Sequence, residues 1–288
     1  MFKNLSPGAI GIRAPLPEAL TLAKTVGFQG VELNIGEVAR ISSEKSIRYV
    51  KQLFKDAGVR AGGWGLPVDW RGDEAVYSVG LKRLPELAQV CRELGCLRVA
   101  TWVLSYSDTR PFKENFEWHV ERFKPIAEAL ETYGCRLGLE FLGPKTLRTG
   151  HKYGFIHTMD GMLSLCDRIG TGNVGLLLDS WHWYTSHGAV EDLRQLTAEQ
   201  VVYVHVNDAP CGVPVDEQVD NIRCLPGETG VINLIGFLGA LRDIGYDGPV
   251  TPEPFSQRVN QMPAQDAAKT TVESLNRVWY AAGLTNQP

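Results

Sequence analysis

"ETYGCRLGLEFLG", residues 131–143, contains the repeating unit from which the fold can be read. A segment of helical period, Glu114–Tyr133, stops at Gly134, and after one more residue an apolar run, Arg136–Phe141, begins. Glycine at such a junction caps the helix, because without a Cβ it enters the left-handed conformation at little cost. The run then ends in a carboxylate, Glu140, followed by Phe141.

The phrase helix, glycine, one residue, strand recurs at Gly27, Gly58, Gly95, Gly170 and Gly245. Strands are predicted at Ala9–Arg13, Gly30–Asn34, Val59–Gly63, Leu97–Val103, Arg136–Phe141, Val174–Asp179, Val201–Val206 and Pro249–Glu253. Between and after them, apolar spacing predicts helices at Pro17–Val26, Ser43–Ala57, Val76–Leu94, Glu114–Tyr133, Met159–Ile169, Val190–Leu196, Leu234–Ile244 and Asp266–Ala281. Such alternation marks an α/β protein, and eight repeats in 288 residues predict a single (β/α)8 TIM barrel over residues 1–288. An open doubly wound sheet is the competing architecture, but the first strand lacks a G-x-G-x-x-G turn.

Composition narrows the function classes. With 29 basic and 33 acidic residues the net charge is −4, which provides no field for collecting a phosphate backbone, so nucleic acid is not an expected partner. The six cysteines are scattered without a CxxC pair and several lie in apolar segments, as reduced thiols of a cytoplasmic protein do. No signal-peptide pattern and no run of membrane-spanning length is found, so a cytoplasmic protein with no membrane partner is expected. A homo-oligomer is compatible with the sequence, which marks no interface for it.

In a TIM barrel, chemistry sits at the C-terminal ends of the strands. Strand two ends near Glu32, strand five in Glu140, strand six in Asp179, strand seven in His205 with Asp208 after it, and strand eight in Glu253. A lone carboxylate at a strand end is commonly a helix cap. Four consecutive strands ending in Glu140, Asp179, His205 and Glu253 are harder to explain that way. Three carboxylates sharing a desolvated pocket need raised pKa values or a neutralising cation. A divalent metal is the simpler solution, Mn²⁺ foremost, with Mg²⁺, Co²⁺ and Zn²⁺ compatible with the same donors.

The strings "LEFLG", "NVGLLLDSWHWY", "VHVND", "LPGETGVINLIGFLGALRDIGYDGPVTPEPF" and "AAKTTVESL" resemble the xylose isomerase-like TIM barrels grouped as sugar phosphate isomerases/epimerases, most closely their inosose (keto-inositol) isomerase branch. The resemblance is strongest from about residue 136 onward, and earlier it rests on "GFQGVEL" and the alternation. It implies Glu140, Asp179, His205 and Glu253 as the metal ligands, and His182 and Arg223 as substrate contacts. The turn reads "PGETG" where relatives have "PGEG" or "PGQG", which leaves the roles of Arg223 and Glu228 to be located.

Such a site suits an isomerase or epimerase of a keto-sugar or keto-polyol. A divalent ion acidifies the proton beside a carbonyl, and Glu140 and Glu253 move it through an enediolate. The alternative is a metal-dependent lyase or dehydratase acting on a keto-polyol or 3-keto glycoside, in which the same enediolate expels a leaving group. A trinuclear-zinc endonuclease needs early histidines, and the first one here is His119. Trp64 and Trp70 after strand three, with Trp181, Trp183 and Tyr184 around His182, are candidate walls for a sugar or cyclitol. Asp208 joins Trp64, His182 and Arg223 as an expected substrate contact, and Lys145 is a candidate anion contact. The long segment 209–231, rich in glycine and proline, is expected to act as a lid.

Overall fold

A computed structural model describes residues 1–285. Eight parallel strands close into a barrel: β1 (Phe2–Leu5), β2 (Gly30–Leu33), β3 (Arg60–Gly65), β4 (Arg98–Val103), β5 (Arg136–Phe141), β6 (Val174–Asp179), β7 (Val201–Val206) and β8 (Pro249–Pro252). Their order around the barrel follows the chain, with β8 closing on β1. Helices cover the outside, and the chain is a (β/α)8 barrel. A two-stranded antiparallel pair, Tyr106–Ser107 with Tyr153–Gly154, links the loops after β4 and β5.

Residues in register on neighbouring parallel strands face the same side of the sheet. The buried set Leu33, Trp64 and Val99 is in register and packs outward against the helices. Trp102 is in register with Glu140, Asp179 with His205, and His205 with Thr251; these residues face the barrel interior. Beneath them Tyr203 fills the barrel axis. A Cβ at Gly63 would collide with its ring and one at Gly62 with Asn4, so small residues on β3 make room for this central pair.

Two expectations are corrected. The first strand is Phe2–Leu5, and Ala9–Arg13 instead enters a single 3-10 turn, Gly8–Ile10, closed by Gly11 at φ 74°. Lys3 and Asn4 obscured the strand, since both are buried polar residues bonded to distant partners, Lys3 Nζ to Asn276 Oδ1 at 2.6 Å and the Asn4 amide nitrogen to Tyr203 and Thr251. The expected helix Ser43–Ala57 is two helices, Ile35–Lys45 and Ile47–Ala57, broken at Ser46. Ser46 holds φ at 124° while its hydroxyl accepts the Tyr49 N–H, so the side chain caps the second helix at the break.

The remaining helix–glycine junctions stand as read. Gly95 ends Glu74–Leu94 at φ 71° and Gly170 ends Met159–Ile169 at φ 74°, each in the left-handed conformation. All six cysteines are free thiols, and no helix among the described residues is long and apolar enough to cross a membrane.

Candidate metal centre

β5, β6, β7 and β8 bring Glu140, Asp179, His205 and Glu253 to one point at the C-terminal mouth. One ligand atom from each lies within 4.8 Å of every other. Glu253 follows β8 directly, and its N–H donates to Val206 O at 3.1 Å, which extends the ladder by one residue and fixes the side chain beside His205. Glu140, Asp179 and His205 are buried.

The four residues do not satisfy one another. Glu140 Oε1 and His205 Nδ1 are buried without a hydrogen-bond partner, although Nδ1 lies 3.2 Å from Glu253 Oε2 and 3.5 Å from Glu140 Oε1. Orphaned donors and acceptors of this kind are costly, and a divalent cation held by three carboxylates and one imidazole would satisfy them. The residues present therefore fit a metal.

Electrostatics separate the two glutamates. Burial pushes Glu140 up to about 7, opposed by His205 and reinforced by Asp179 and Glu253. Glu253 also feels burial, but His205 and Arg223 outweigh it and hold it below the usual carboxylate range. His205 is the converse: burial would lower it, and Glu253 and Glu140 raise it well above an ordinary histidine.

His182 and Arg223 both reach the cluster. His182 lies on the short helix Ser180–Thr185, whose N-cap is Asp179 itself, with Asp179 Oδ1 accepting the Trp181 N–H at 2.8 Å. Gly143 N–H donates to His182 Nδ1 at 3.2 Å, and Arg223 Nη2 lies 3.3 Å from Nε2, so the ring is held from both nitrogens. Nε2 lies 3.9 Å from Asp179 Oδ2 and 4.0 Å from Glu140 Oε1, and burial holds the ring neutral by lowering its pKa to about 3. Arg223 donates from Nη1 to Asp179 Oδ2 at 2.8 Å and Glu253 Oε2 at 3.2 Å, and from Nη2 to Asp220 Oδ1 at 2.7 Å. Its guanidinium lies over Phe255, 4.7 Å from the ring centroid.

Asp208 and Trp64 lie elsewhere. Asp208 turns into its own loop, where Oδ1 accepts the N–H groups of Ala209 and Ile232 and Oδ2 those of Thr229 and Gly230, all at 2.7–3.0 Å. It also exchanges two backbone bonds with Cys224, next to Arg223. Its carboxylate organises the "PGETG" turn, and Glu228 braces the same turn by accepting from Leu225 N–H and Arg258. Trp64 faces the helices, and its indole N–H donates to Cys96 O at 3.2 Å. Trp70 and Trp183 are likewise buried, against Phe123 and Phe237. Lys145 pairs with Asp216, so it ties the segment 209–231 to the loop after β5.

The aromatic residue at the mouth is Trp102, 38% exposed, in register with Glu140 and covered by Arg71 at 3.9 Å from the ring centroid. Periodicity could have identified it, since Trp102 stands in the same strand position as Glu140. Gly143 carried no comparable signal. A Cβ there would strike the His182 carbonyl, so only glycine lets its N–H approach the imidazole.

Comparison with known proteins follows this geometry. The family model described as xylose isomerase-like TIM barrel matches residues 20–278. An inosose isomerase of Bacillus velezensis is 27% identical over 266 residues, covering 91% of each chain. A 3-dehydroshikimate dehydratase of Pseudomonas aeruginosa is 26% identical over 278 residues, which cover 94% of this chain and 41% of that protein. Among solved structures, a xylose isomerase domain protein from Alicyclobacillus acidocaldarius superposes with a TM-score of 0.87 at 30% identity, over 98% of this chain and 99% of that one.

Proposed function

Because the chain belongs to the xylose isomerase-like TIM barrel family, we propose that it is a divalent-metal-dependent isomerase or epimerase of a keto-sugar or keto-polyol, acting by proton transfer through an enediolate. The observation that carries this reading is the convergence of Glu140, Asp179, His205 and Glu253 within 4.8 Å, with two of their buried polar atoms unpartnered. The named inosose isomerase relative supports the substrate class.

Glu140, Asp179, His205 and Glu253 would hold the ion, Mn²⁺ foremost, with Mg²⁺, Co²⁺ and Zn²⁺ served by the same donors. When bound, the ion supplies Lewis-acid polarisation of a carbonyl and the neighbouring hydroxyl. The protein's own groups do the rest. Glu140, as a ligand of the ion, would be a weakened base that accepts and returns a proton through the carboxylate oxygen not held by the metal. Glu253 stays ionised beside Arg223 and serves the opposite proton. His182 would contact a substrate oxygen beside the ligands, and Arg223 holds Asp179 and Glu253 in place, its buried Nε being the one guanidinium nitrogen without a partner among the described residues. Residues 209–231 would act as the lid, and the Lys145–Asp216 pair is where that segment meets the loop after β5. The free thiols suit the reducing cytoplasm.

A second reading, a metal-dependent dehydratase of a keto-polyol or 3-keto glycoside, is favoured by the 3-dehydroshikimate dehydratase relative. One experiment tests both. Metal-loaded protein is incubated with inososes, keto-sugars and 3-keto glycosides, and products are read by mass. An isomer of unchanged mass supports the first reading, loss of one water supports the second, and no conversion of any of them overturns both.

A further inference from the structure

On the far side of the barrel mouth a further acidic residue, Glu32, lies next to the end of β2, outside the group of four ligand residues. In the closed strand order β2 lies four strands from β6 in either direction, so Glu32 stands across the barrel from Asp179. It lines a cavity of about 840 Å³ together with Ser6, Ile12, Arg13 and Asn34, from the loops after β1 and β2. His205 and Glu253 of the ligand set act electrostatically on Glu32, so its carboxylate belongs to the same barrel mouth as the metal centre.

The protein orients Glu32 from below. Tyr203, one inward position beneath His205 on β7, places its hydroxyl 3.1 Å from Glu32 Oε2. That hydroxyl already receives a proton from Asn4 Nδ2 at 2.9 Å and one from Thr251 Oγ1 at 3.0 Å, so its own single proton goes to Glu32. Asn4 donates its second N–H to Thr251 Oγ1 at 3.0 Å, so each of these donors has an assigned acceptor. The chain of bonds therefore has one direction and ends on Glu32. A carboxylate has about four acceptor sites, and Tyr203 and Ser6 occupy only part of that capacity. Glu32 remains half-buried with acceptor capacity toward the cavity.

We propose that Glu32 is a specificity-determining residue, whose carboxylate accepts the hydroxyl that lies across the substrate ring from the reacting carbonyl. This rests on the keto-polyol reading and adds which part of the polyol is recognised. The preorganised acceptor favours a substrate with a hydroxyl at that position, because a deoxygenated analogue would leave unfilled the acceptor capacity that Tyr203 and Ser6 do not occupy. Ile12, from the loop after β1, borders the cavity as an apolar neighbour of that polar point.

The test is a cycle between protein and ligand. An inosose and its analogue deoxygenated at the carbon para to the carbonyl are titrated into metal-loaded wild type, E32Q and E32A by calorimetry, and kcat/KM is measured in parallel. Deoxygenation should weaken binding to wild type about 10- to 100-fold, the range for a hydrogen bond to a charged group. E32A should bind the inosose with a similar loss, and deoxygenation should then cost it little more. Equal losses on deoxygenation in wild type and E32A, or no loss in E32A, would overturn the proposal. So would failure of the inosose to bind wild type, whereas binding without turnover counts against the enzymatic reading alone. E32Q keeps an acceptor for Tyr203; if E32A does not fold, E32Q reads the same coupling through its weaker, uncharged acceptor.

Discussion

Gly143 and His182 are joined by an N–H to Nδ1 hydrogen bond of 3.2 Å, while Arg223 Nη2 lies 3.3 Å from Nε2 on the side of the acidic cluster. These contacts hold the ring beside the ligands, so loss of His182 should remove a contact to substrate without disturbing the ligand set. His182→Asn is expected to lower kcat/KM about 100-fold while metal content stays at the wild-type level, measured by steady-state kinetics and elemental analysis. Unchanged kinetics would remove His182 from the substrate site. Gly143→Ala should reproduce much of the loss, since the added Cβ meets the His182 carbonyl.

Metal binding should release protons. Glu140 is raised to about 7 and His205 well above its ordinary value, so near pH 6 both carry protons that a cation must displace. Affinity is therefore expected to rise with pH through 7, approaching about tenfold per unit for each proton displaced. Calorimetry in buffers of different ionisation enthalpy reads the proton count directly; pH-independent affinity would contradict the assignment. The purified protein should carry about one divalent ion per chain and lose activity on chelation.

Turnover in D₂O should place deuterium at the reacting carbon, because Glu140 and Glu253 exchange protons with solvent between cycles. Glu140→Gln and Glu253→Gln should each reduce both turnover and deuterium incorporation by at least about 100-fold. Product formed by wild type without deuterium would point to an internal hydride shift and dismiss the pair as acid and base.

Asp208→Ala should act first on stability. Its carboxylate accepts four backbone N–H groups of the loop beside Arg223, and leaving these buried donors unpaired is expected to cost about 3 kcal/mol in a denaturant titration. KM should rise as Arg223 loses its support, and Asp208→Asn, which can still accept some of these bonds, should recover part of both losses. A variant as stable as wild type with impaired catalysis would return Asp208 to the substrate contacts.

The late strands were legible because each pairs an apolar run with a ligand-type residue at its end, as "VGLLLD" does at Asp179. The first strand was not. "FKNL" reads as polar, and only partners far along the chain, such as Asn276 and Tyr203, make Lys3 and Asn4 fit to be buried. Trp64 was misplaced for a subtler reason. β3 runs on to Gly65, so Trp64 lies inside the strand and its alternation sends it outward, whereas Trp102 on β4 faces the mouth. Asp208 follows a strand as the ligands do, and local sequence does not reveal that a loop more than twenty residues away folds back onto it. The break at Ser46 has neither glycine nor proline to announce it.

Arg223 sits against two of the three carboxylates that would share an ion, with Asp220 on its other edge. The barrel thus carries its own countercharge, and its fold does not hinge on the ion in the way a zinc finger's does. The centre should behave as an exchangeable socket, stripped and reloaded without unfolding. The resident ion would then follow what the cell has in supply, and preparations from different growth media would differ in metal while sharing one fold.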